Sequence, residues 1–189
     1  MIFKKICTLF LSLLILLGLC SCDVKKVNPE HFESSQIVQS SSVKENNLTY
    51  YPVVRVVDGD TIIVLKDNVE TKVRLIGIDT PESVAAGKNA EKNCEEGKVA
   101  SDYVKDLLSD GTVALEYDVE PNDKYGRDLC YVYLTDGTML NKLLLEIGYA
   151  RIMRIEPNIK YVAEFDEIAL KARRDKKGFY SQDVLPWKN

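Results

Sequence analysis

The sequence is poor in histidine and has no excess of positive charge. Its single histidine, His31, lies in a polar N-terminal stretch outside the region where apolar residues recur at strand or helix spacing. This position argues against a zinc site or a histidine base in the folded part of the chain. The formal net charge is −4, whereas nonspecific nucleic-acid binders usually carry a basic excess. We therefore expect any contact with nucleic acid to be weak and to depend on a cation.

The chain also lacks an apolar run of the length that a membrane span requires. Its apolar stretch of residues 6–19 follows Lys4 and Lys5 and is shorter than the ~20 residues of a typical spanning helix. A basic start before a short apolar run is typical of a signal peptide. The following Leu-Cys-Ser-Cys resembles a bacterial lipoprotein signal, which predicts a leader at residues 1–21 and acylation of Cys22. The alternative is a plain secretory signal cut nearby, and both alternatives place the domain outside the cell.

Residues 22–47 are rich in serine, asparagine, glutamine and lysine and show little apolar periodicity, which predicts a flexible tether. The remainder, residues 48–189, is long enough for one ordinary domain. This domain contains two cysteines, Cys94 and Cys130. Outside the cell they could form a disulfide, and the alternative is two separate small side chains that are buried or half-buried.

Three short polar motifs indicate the chemistry: Val-Asp-Gly-Asp-Thr at residues 57–61, Arg-Leu-Ile-Gly-Ile-Asp-Thr-Pro-Glu at 74–82, and Asp-Lys-Tyr-Gly-Arg at 123–127. The first two motifs hold four carboxylates, and oxygen ligands favour calcium or magnesium. The last two each contain an arginine, whose planar fork matches phosphate oxygens. Taken alone, Asp58-Gly59 is better explained as a hairpin turn. The coexistence of all three motifs favours a site that cuts phosphodiesters.

In this order and spacing, the motifs resemble those of the staphylococcal nuclease (thermonuclease) family. The resemblance runs from about Tyr51 to Tyr180 and includes a closing Lys-Lys-Gly-Phe-Tyr. It implies roles for individual residues, written here as expectations: calcium ligands at Asp60, Asp79 and the carbonyl of Thr80; a general base at Glu82; phosphate-binding arginines at Arg74 and Arg127; support of the metal site by Asp58; and contacts to a terminal phosphate from Lys124 and Tyr125.

The predicted fold is of the α+β class. Strands are expected at residues 51–57, 61–66, 71–78, 113–119 and 129–134, and helices at 97–108, 140–147 and 161–173. Five strands with a helix between the third and fourth fit a five-stranded Greek-key barrel of the OB type with about three helices. The polar residues 83–96 are interpreted as a flap beside the site.

One departure from the family concerns residues 151–157, where members often place tyrosines that line the nucleotide pocket. Arg154 and Glu156 stand near the expected positions of these aromatics. Arg154 could stack on a base through its guanidinium plane, although a solvated surface arginine is the favoured interpretation. Base stacking and substrate preference therefore stay open.

The resemblance implies a calcium-dependent nuclease that hydrolyses DNA, and by expectation RNA, with little sequence preference and leaves 3′-phosphate ends. The alternative is a non-catalytic OB-fold module that binds an oligonucleotide or another ligand. The expected partners are the nucleic-acid substrate and a membrane reached through the lipid anchor, with the domain acting as a monomer. The expected location is the cell surface, with release from the cell as the alternative.

Overall fold

The computed structural model describes residues 49–84, 87–109, 111–183 and 185–187. The described residues do not include the predicted leader, Cys22, His31 or the predicted tether. No helix within the described ranges is both long enough and apolar enough to cross a membrane.

The described residues form seven strands and three α-helices. In chain order these are β1 Tyr50–Asp58, β2 Thr61–Lys66, β3 Val69–Leu75, β4 Gly77–Asp79, α1 Glu95–Leu107, β5 Thr112–Asn122, β6 Asp128–Tyr133, α2 Leu140–Glu146, β7 Arg151–Met153 and α3 Val162–Arg174. Five of the strands close into a barrel in the order β1-β2-β3-β6-β5, and β4 pairs with β7 in a separate two-stranded sheet. The predicted α+β class, the five-stranded OB-type barrel and its three helices are confirmed.

Strand alternation and turn chemistry explain how the barrel forms. Apolar side chains of alternate β3 residues, Val73 and Leu75, are buried in the core with Ile62 and Val64 of β2. The β2–β3 connection is a turn at Asp67 and Asn68, and both residues have positive φ, as a type I′ hairpin turn requires. The strands pair antiparallel except β3 and β6, which are parallel.

The predicted third strand, residues 71–78, is wrong in one respect, because the chain leaves the barrel after Leu75 and continues as β4. Gly77 has a φ of +81°, and a Cβ atom there would lie 2.6 Å from Cε2 of Phe165. Only glycine combines this backbone with so close an approach. The bend turns Asp79 toward β7, a strand that the sequence patterns did not predict.

The segment after β4 is more regular than the predicted flap of residues 83–96. It contains a short 3-10 helix, Gly87–Lys92, and the first residues of α1, which begins two residues before its predicted start. The start of α1 also packs on the site, since a Cβ atom at Gly97 would lie 2.2 Å from the carbonyl oxygen of Glu82. The backbone N–H of Cys94 donates to the same carbonyl at 3.0 Å. The backbone of Glu82 is therefore held by the helix.

Both cysteines of the domain are free thiols in the structure, which agrees with the alternative of two separate side chains and not with a disulfide. Cys94 is half-buried, and Cys130 on β6 is completely buried. Burial raises the pKa of the Cys130 thiol to about 12.

Candidate active site

The register of the β2–β3 hairpin brings the first motif against the second. Thr61 pairs with Arg74 across the two strands, and the N–H of Leu75 donates to the carbonyl of Asp60 at 2.9 Å. The guanidinium of Arg74 then reaches the Asp60 carboxylate, with 2.7 Å between Nη1 and Oδ2. Two predicted site residues are thus joined by a local hairpin.

Parallel pairing of β3 with β6 adds the third motif. Arg74 lies opposite Leu129 of β6, and Arg127 precedes Leu129 by two residues. Arg127 therefore lies at the same edge of the barrel as Arg74. Asp58, Asp60, Arg74, Glu82 and Arg127 line one cleft, as the barrel fold predicts. The sequence analysis did not single out Lys72, which lines this cleft as well. Period-two alternation along β3 could have found it, because it places Lys72 on the same face as Arg74.

The predicted metal ligands Asp60, Asp79 and Thr80 lie together. Arg74 bridges the two carboxylates, since its Nη2 lies 3.3 Å from Oδ1 of Asp79 while Nη1 contacts Asp60. The backbone N–H of Thr80 donates to Oδ2 of Asp60 at 2.9 Å, and Thr80 is 3% exposed. The link ties the end of β4 to the turn after β1.

Asp58 lies behind these groups and fastens the segment that carries Glu82. Its carboxylate accepts hydrogen bonds from the N–H of Gly59 at 2.8 Å and from the hydroxyl and N–H of Ser83 at 2.8 and 3.2 Å. Its position agrees with the predicted support of the metal site. Glu82 itself is exposed at the cleft.

The electrostatics of the carboxylate group show an excess of negative charge. Partial burial raises the pKa of Glu82, and the neighbouring Asp58, Asp60 and Asp79 raise it further. Burial also raises the pKa of Asp79, against the opposing effect of Arg74. Additional positive charge at this point would stabilise the ionised carboxylates.

The donor set fits a hard divalent cation. Within the described ranges, no three His, Cys, Asp or Glu side chains form a metal-binding group. The predicted set needs only the two carboxylates of Asp60 and Asp79 with the Thr80 carbonyl, and calcium commonly completes such a shell with water. The shared contact to Arg74 keeps both carboxylates at one place.

The loop between β5 and β6 is organised by Asp123, whose role the sequence analysis did not identify. Its Oδ1 accepts the N–H groups of Tyr125 and Arg127 at 2.9 and 3.0 Å, and its Oδ2 lies 2.6 Å from Nε of Arg127. Although burial opposes ionisation, these contacts from Arg127 and Tyr125 keep the pKa of Asp123 below its usual value. Asp123 therefore orients the guanidinium of Arg127.

Lys124 and Tyr125 stand at the rim of the site and do not line its cleft. Tyr125 is 73% exposed, and its ring lies 5.1 Å from Nζ of Lys124 and 5.7 Å from Cζ of Arg127. Two cations beside one exposed ring fit the predicted contact to a phosphate outside the reacting centre.

A second, more apolar pocket adjoins the arginines, and it corrects the expectation for residues 151–157. Its wall is formed by Met153 and Ile155, with Leu75, Ile78 and Leu129, next to Arg74 and Arg127. Arg154 and Glu156 do not line it. Because side chains alternate along an extended segment, Arg154 points the other way and pairs with Asp166 of α3. The favoured surface interpretation of Arg154 is confirmed.

Two further residues that sequence reasoning missed contact Asp79. Arg151 lies opposite Asp79 in the β4–β7 pairing, with 2.9 Å between its Nε and Oδ2 of the carboxylate. The indole N–H of Trp187 donates to the carbonyl of Asp79 at 3.0 Å. No local pattern indicates a contact between residues 108 positions apart.

Comparison with known proteins supports the family resemblance of the three motifs that the structure brings together. A family model described as staphylococcal nuclease homologue matches residues 72–182. The thermonuclease of Staphylococcus hyicus is 40% identical over 143 residues, covering 76% of this chain and 82% of that protein. The thermonuclease of Staphylococcus intermedius is 45% identical over 124 residues, covering 66% and 71%. Endonuclease YncB of Bacillus subtilis (strain 168) is 30% identical over 200 residues, covering 95% and 93%.

The family match covers more than half of the chain, and the relatives at 40–45% identity are matched over most of their own length. The barrel and the three converging motifs agree with it. The chain therefore belongs to the staphylococcal nuclease family.

Proposed function

We propose that this chain is a calcium-dependent nuclease that hydrolyses DNA and RNA with little sequence preference and leaves 3′-phosphate ends. Its place in the family and its nuclease-named relatives support a nuclease hydrolase. The observation that carries the proposal is the convergence of Asp60, Arg74, Glu82 and Arg127 on one cleft, beside Asp79, which Arg74 contacts.

Each residue then has a chemical task. Arg74 and Arg127 bind the scissile phosphate and stabilise the negative charge that increases on it in the transition state. Glu82 accepts a proton from the attacking water. The water oxygen bonds to phosphorus while the bond from phosphorus to the 5′-oxygen breaks, and that oxygen takes a proton from solvent.

Asp60, Asp79 and the carbonyl of Thr80 would hold calcium. When bound, calcium would supply positive charge that reduces the repulsion between an anionic phosphodiester and its nucleophile. Asp58 would keep the Glu82 segment in place through its hydrogen bonds to Ser83.

We also propose that the domain acts as a monomer at the outer cell surface, tethered by residues 22–47 to a lipid on Cys22. The basic start, the short apolar run and the Leu-Cys-Ser-Cys sequence support this location. Mass spectrometry of the chain purified from bacterial membranes would test the anchor, since acylated Cys22 is expected at the mature N-terminus. An N-terminus elsewhere, without a lipid, would exclude it.

The test of the activity is cleavage of single-stranded and duplex DNA and of RNA by the purified chain, with calcium, with magnesium and with a chelator. We expect digestion in calcium, its loss in the chelator, and products whose 3′ ends become extendable by a polymerase only after phosphatase treatment. A folded chain that cuts nothing under any of these conditions would favour the non-catalytic binding module.

A further inference from the structure

A further cleft adjoins the Asp79–Glu82 segment and shares Asp79, Glu82 and Met153 with the apolar pocket. Its floor and walls are formed by Lys92, Arg151, Met153, Pro186 and Trp187, and its volume is about 230 Å³. Asp79 and Glu82 form the edge that it shares with the reacting centre. The sequence analysis did not predict a site role for the other residues that line this cleft.

Trp187 presents a fixed aromatic surface in this cleft. Its indole N–H is bonded to the Asp79 carbonyl, and its ring meets Phe179 edge-on at 6.1 Å and Tyr180 at 5.5 Å between centroids. The ring is half-buried, so part of it faces the cleft. An aromatic ring that is already held in place loses little entropy when a flat ligand stacks on it.

Two cations line the same cleft as that ring. Arg151 has its Cζ 5.9 Å from the centroid of Trp187, and its side chain is 40% exposed although its Nε contacts Asp79. Lys92, the last residue of the 3-10 helix, lines the cleft too and forms no ion pair with any described residue. Aromatic surfaces interleaved with cations are the usual means of holding single-stranded nucleic acid without sequence preference.

Arg151 also lines a neighbouring surface groove, so the Trp187 cleft and this groove share one residue. That groove runs between β7 and α3 and contains Arg173, Tyr180 and Arg154, whose guanidinium is paired with Asp166 in the same groove. Cζ of Arg173 lies 5.6 Å from the ring centroid of Tyr180. A single strand of nucleic acid that leaves the reacting centre along this groove would meet Arg173 and the ring of Tyr180.

We infer that the Trp187 cleft is a subsite for a nucleotide that flanks the scissile phosphate and does not occupy the apolar pocket. The base stacks on Trp187, and its outer phosphate contacts Lys92 and Arg151. This inference rests on the proposed function, since it takes the scissile phosphate to lie between Arg74 and Arg127. The ligand of this subsite is single-stranded nucleic acid, which the cleft recognises by shape and charge.

The first test uses the single tryptophan of the chain as its own reporter and needs no turnover. The Glu82→Ser chain in calcium is titrated with a twelve-residue oligothymidylate and with an abasic deoxyribose-phosphate chain of equal length. Anisotropy of labelled strands establishes saturation for each ligand. We expect the oligothymidylate to quench Trp187 emission and the abasic chain to leave it nearly unchanged. Unchanged emission with saturating oligothymidylate would overturn the subsite.

The second test separates stacking from the support that Trp187 gives to Asp79. Trp187→Ala should weaken oligothymidylate binding between about fivefold and about a hundredfold, the range for loss of one stacked base. Binding of the abasic chain should stay within about twofold, and Trp187→Phe should restore much of the loss. An equal weakening for both ligands would assign Trp187 to positioning Asp79 alone and would exclude stacking.

The third test concerns Lys92. Each lost phosphate contact lowers the salt dependence of single-strand binding by about 0.7 in the slope of log Kd against log salt concentration. Lys92→Ala should show this change, while Lys171→Ala, an exposed lysine of α3 away from the cleft, should not. Equal slopes for both variants would remove Lys92 from the subsite. These measurements report binding, so they stand even if the chain proves to have no nuclease activity.

Discussion

Asp79 is the residue on which the parts of the site converge. Its carboxylate contacts Arg74 and Arg151, and its carbonyl accepts the indole N–H of Trp187. A carboxylate fixed from two sides has little freedom to reorient, and preorganised groups lose less entropy when a cation binds. The same contacts link the predicted metal position to the cleft that holds Trp187.

The first prediction concerns Glu82. Glu82→Ser should fold normally, because the carboxyl group is exposed and the segment is held by backbone contacts to Cys94 and Asp58. Turnover should fall by roughly 10² to 10⁴, the usual contribution of a positioned base. Calcium-dependent cleavage of labelled DNA measures it, with Glu95→Ser on the exposed first turn of α1 as the matched control. Wild-type rates in Glu82→Ser would remove this residue from the mechanism.

The second prediction concerns Arg127. Arg127→Ala should lower kcat about a hundredfold or more, since a contact that strengthens in the transition state is lost. Arg127→Lys keeps the charge but not the planar fork, so it should recover only part of the rate. Steady-state kinetics on a short single strand distinguish the two effects. A change in KM with kcat preserved would show that Arg127 binds the ground state only.

At the scale of elements, the site depends on the bend between β3 and β4. Gly77 allows the chain to leave the barrel, and β4 then pairs with β7 so that Asp79 lies opposite Arg151. The packing of Phe165 of α3 against Gly77 fixes this bend. One glycine therefore determines whether the second motif can face the first.

The third prediction tests that bend. Gly77→Ala adds a Cβ atom 2.6 Å from the buried ring of Phe165 at a φ of +81°. Left-handed strain and overpacking together should lower the free energy of unfolding by roughly 2–5 kcal/mol. Gly137→Ala is the control, because its φ of +85° is similar but its Cβ would meet nothing within 4 Å.

In the control only the backbone strain remains, at roughly 1–2 kcal/mol. Urea denaturation of both variants gives the difference. Equal losses would mean that Phe165 moves aside without cost and that the bend is not fixed by packing.

Local sequence patterns predicted the contacts between residues that lie close together in the sequence. Asp60 and Arg74 are joined by a hairpin whose alternation and turn residues are visible in the sequence. The parallel pairing of β3 with β6 was not predicted, because it joins segments that lie far apart in the sequence. The contact of Trp187 with Asp79 could not be predicted, because it depends on where the end of the chain packs. Met153 was missed for a smaller reason, since a three-residue strand is too short for a periodic signal.

At the scale of the whole molecule, a polar cluster joins three strands of the barrel. Lys66 of β2 donates to Tyr117 of β5 at 2.7 Å and to Asp128 of β6 at 2.9 Å, and Asn122 also donates to Asp128. Burial opposes ionisation of Asp128, but the contacts from Tyr117 and Lys66 prevail and hold its pKa below the usual value.

The fourth prediction follows from the sign of that shift. A carboxyl whose pKa is lower in the folded state stabilises the fold above its unfolded pKa, and this stabilisation is lost as the pH falls through the folded value. Lys66→Met removes a contact that lowers the pKa of Asp128, so acid unfolding should begin at a higher pH. Circular dichroism across an acid titration measures the midpoint, with Lys177→Met, at an exposed lysine that forms no ion pair with any described residue, as the control. An unchanged midpoint would show that Tyr117 and Asn122 suffice.

The parallel pairing of β3 with β6 has a consequence for when the site is assembled. Residues 58–60, 74–82 and 123–127 meet only when the barrel closes, so the catalytic arrangement and the tertiary fold arise in one step. Long-range pairing of this kind forms late, after the local hairpins. A chain whose barrel has not yet closed therefore has no assembled site, and its activity should stay latent until folding is complete.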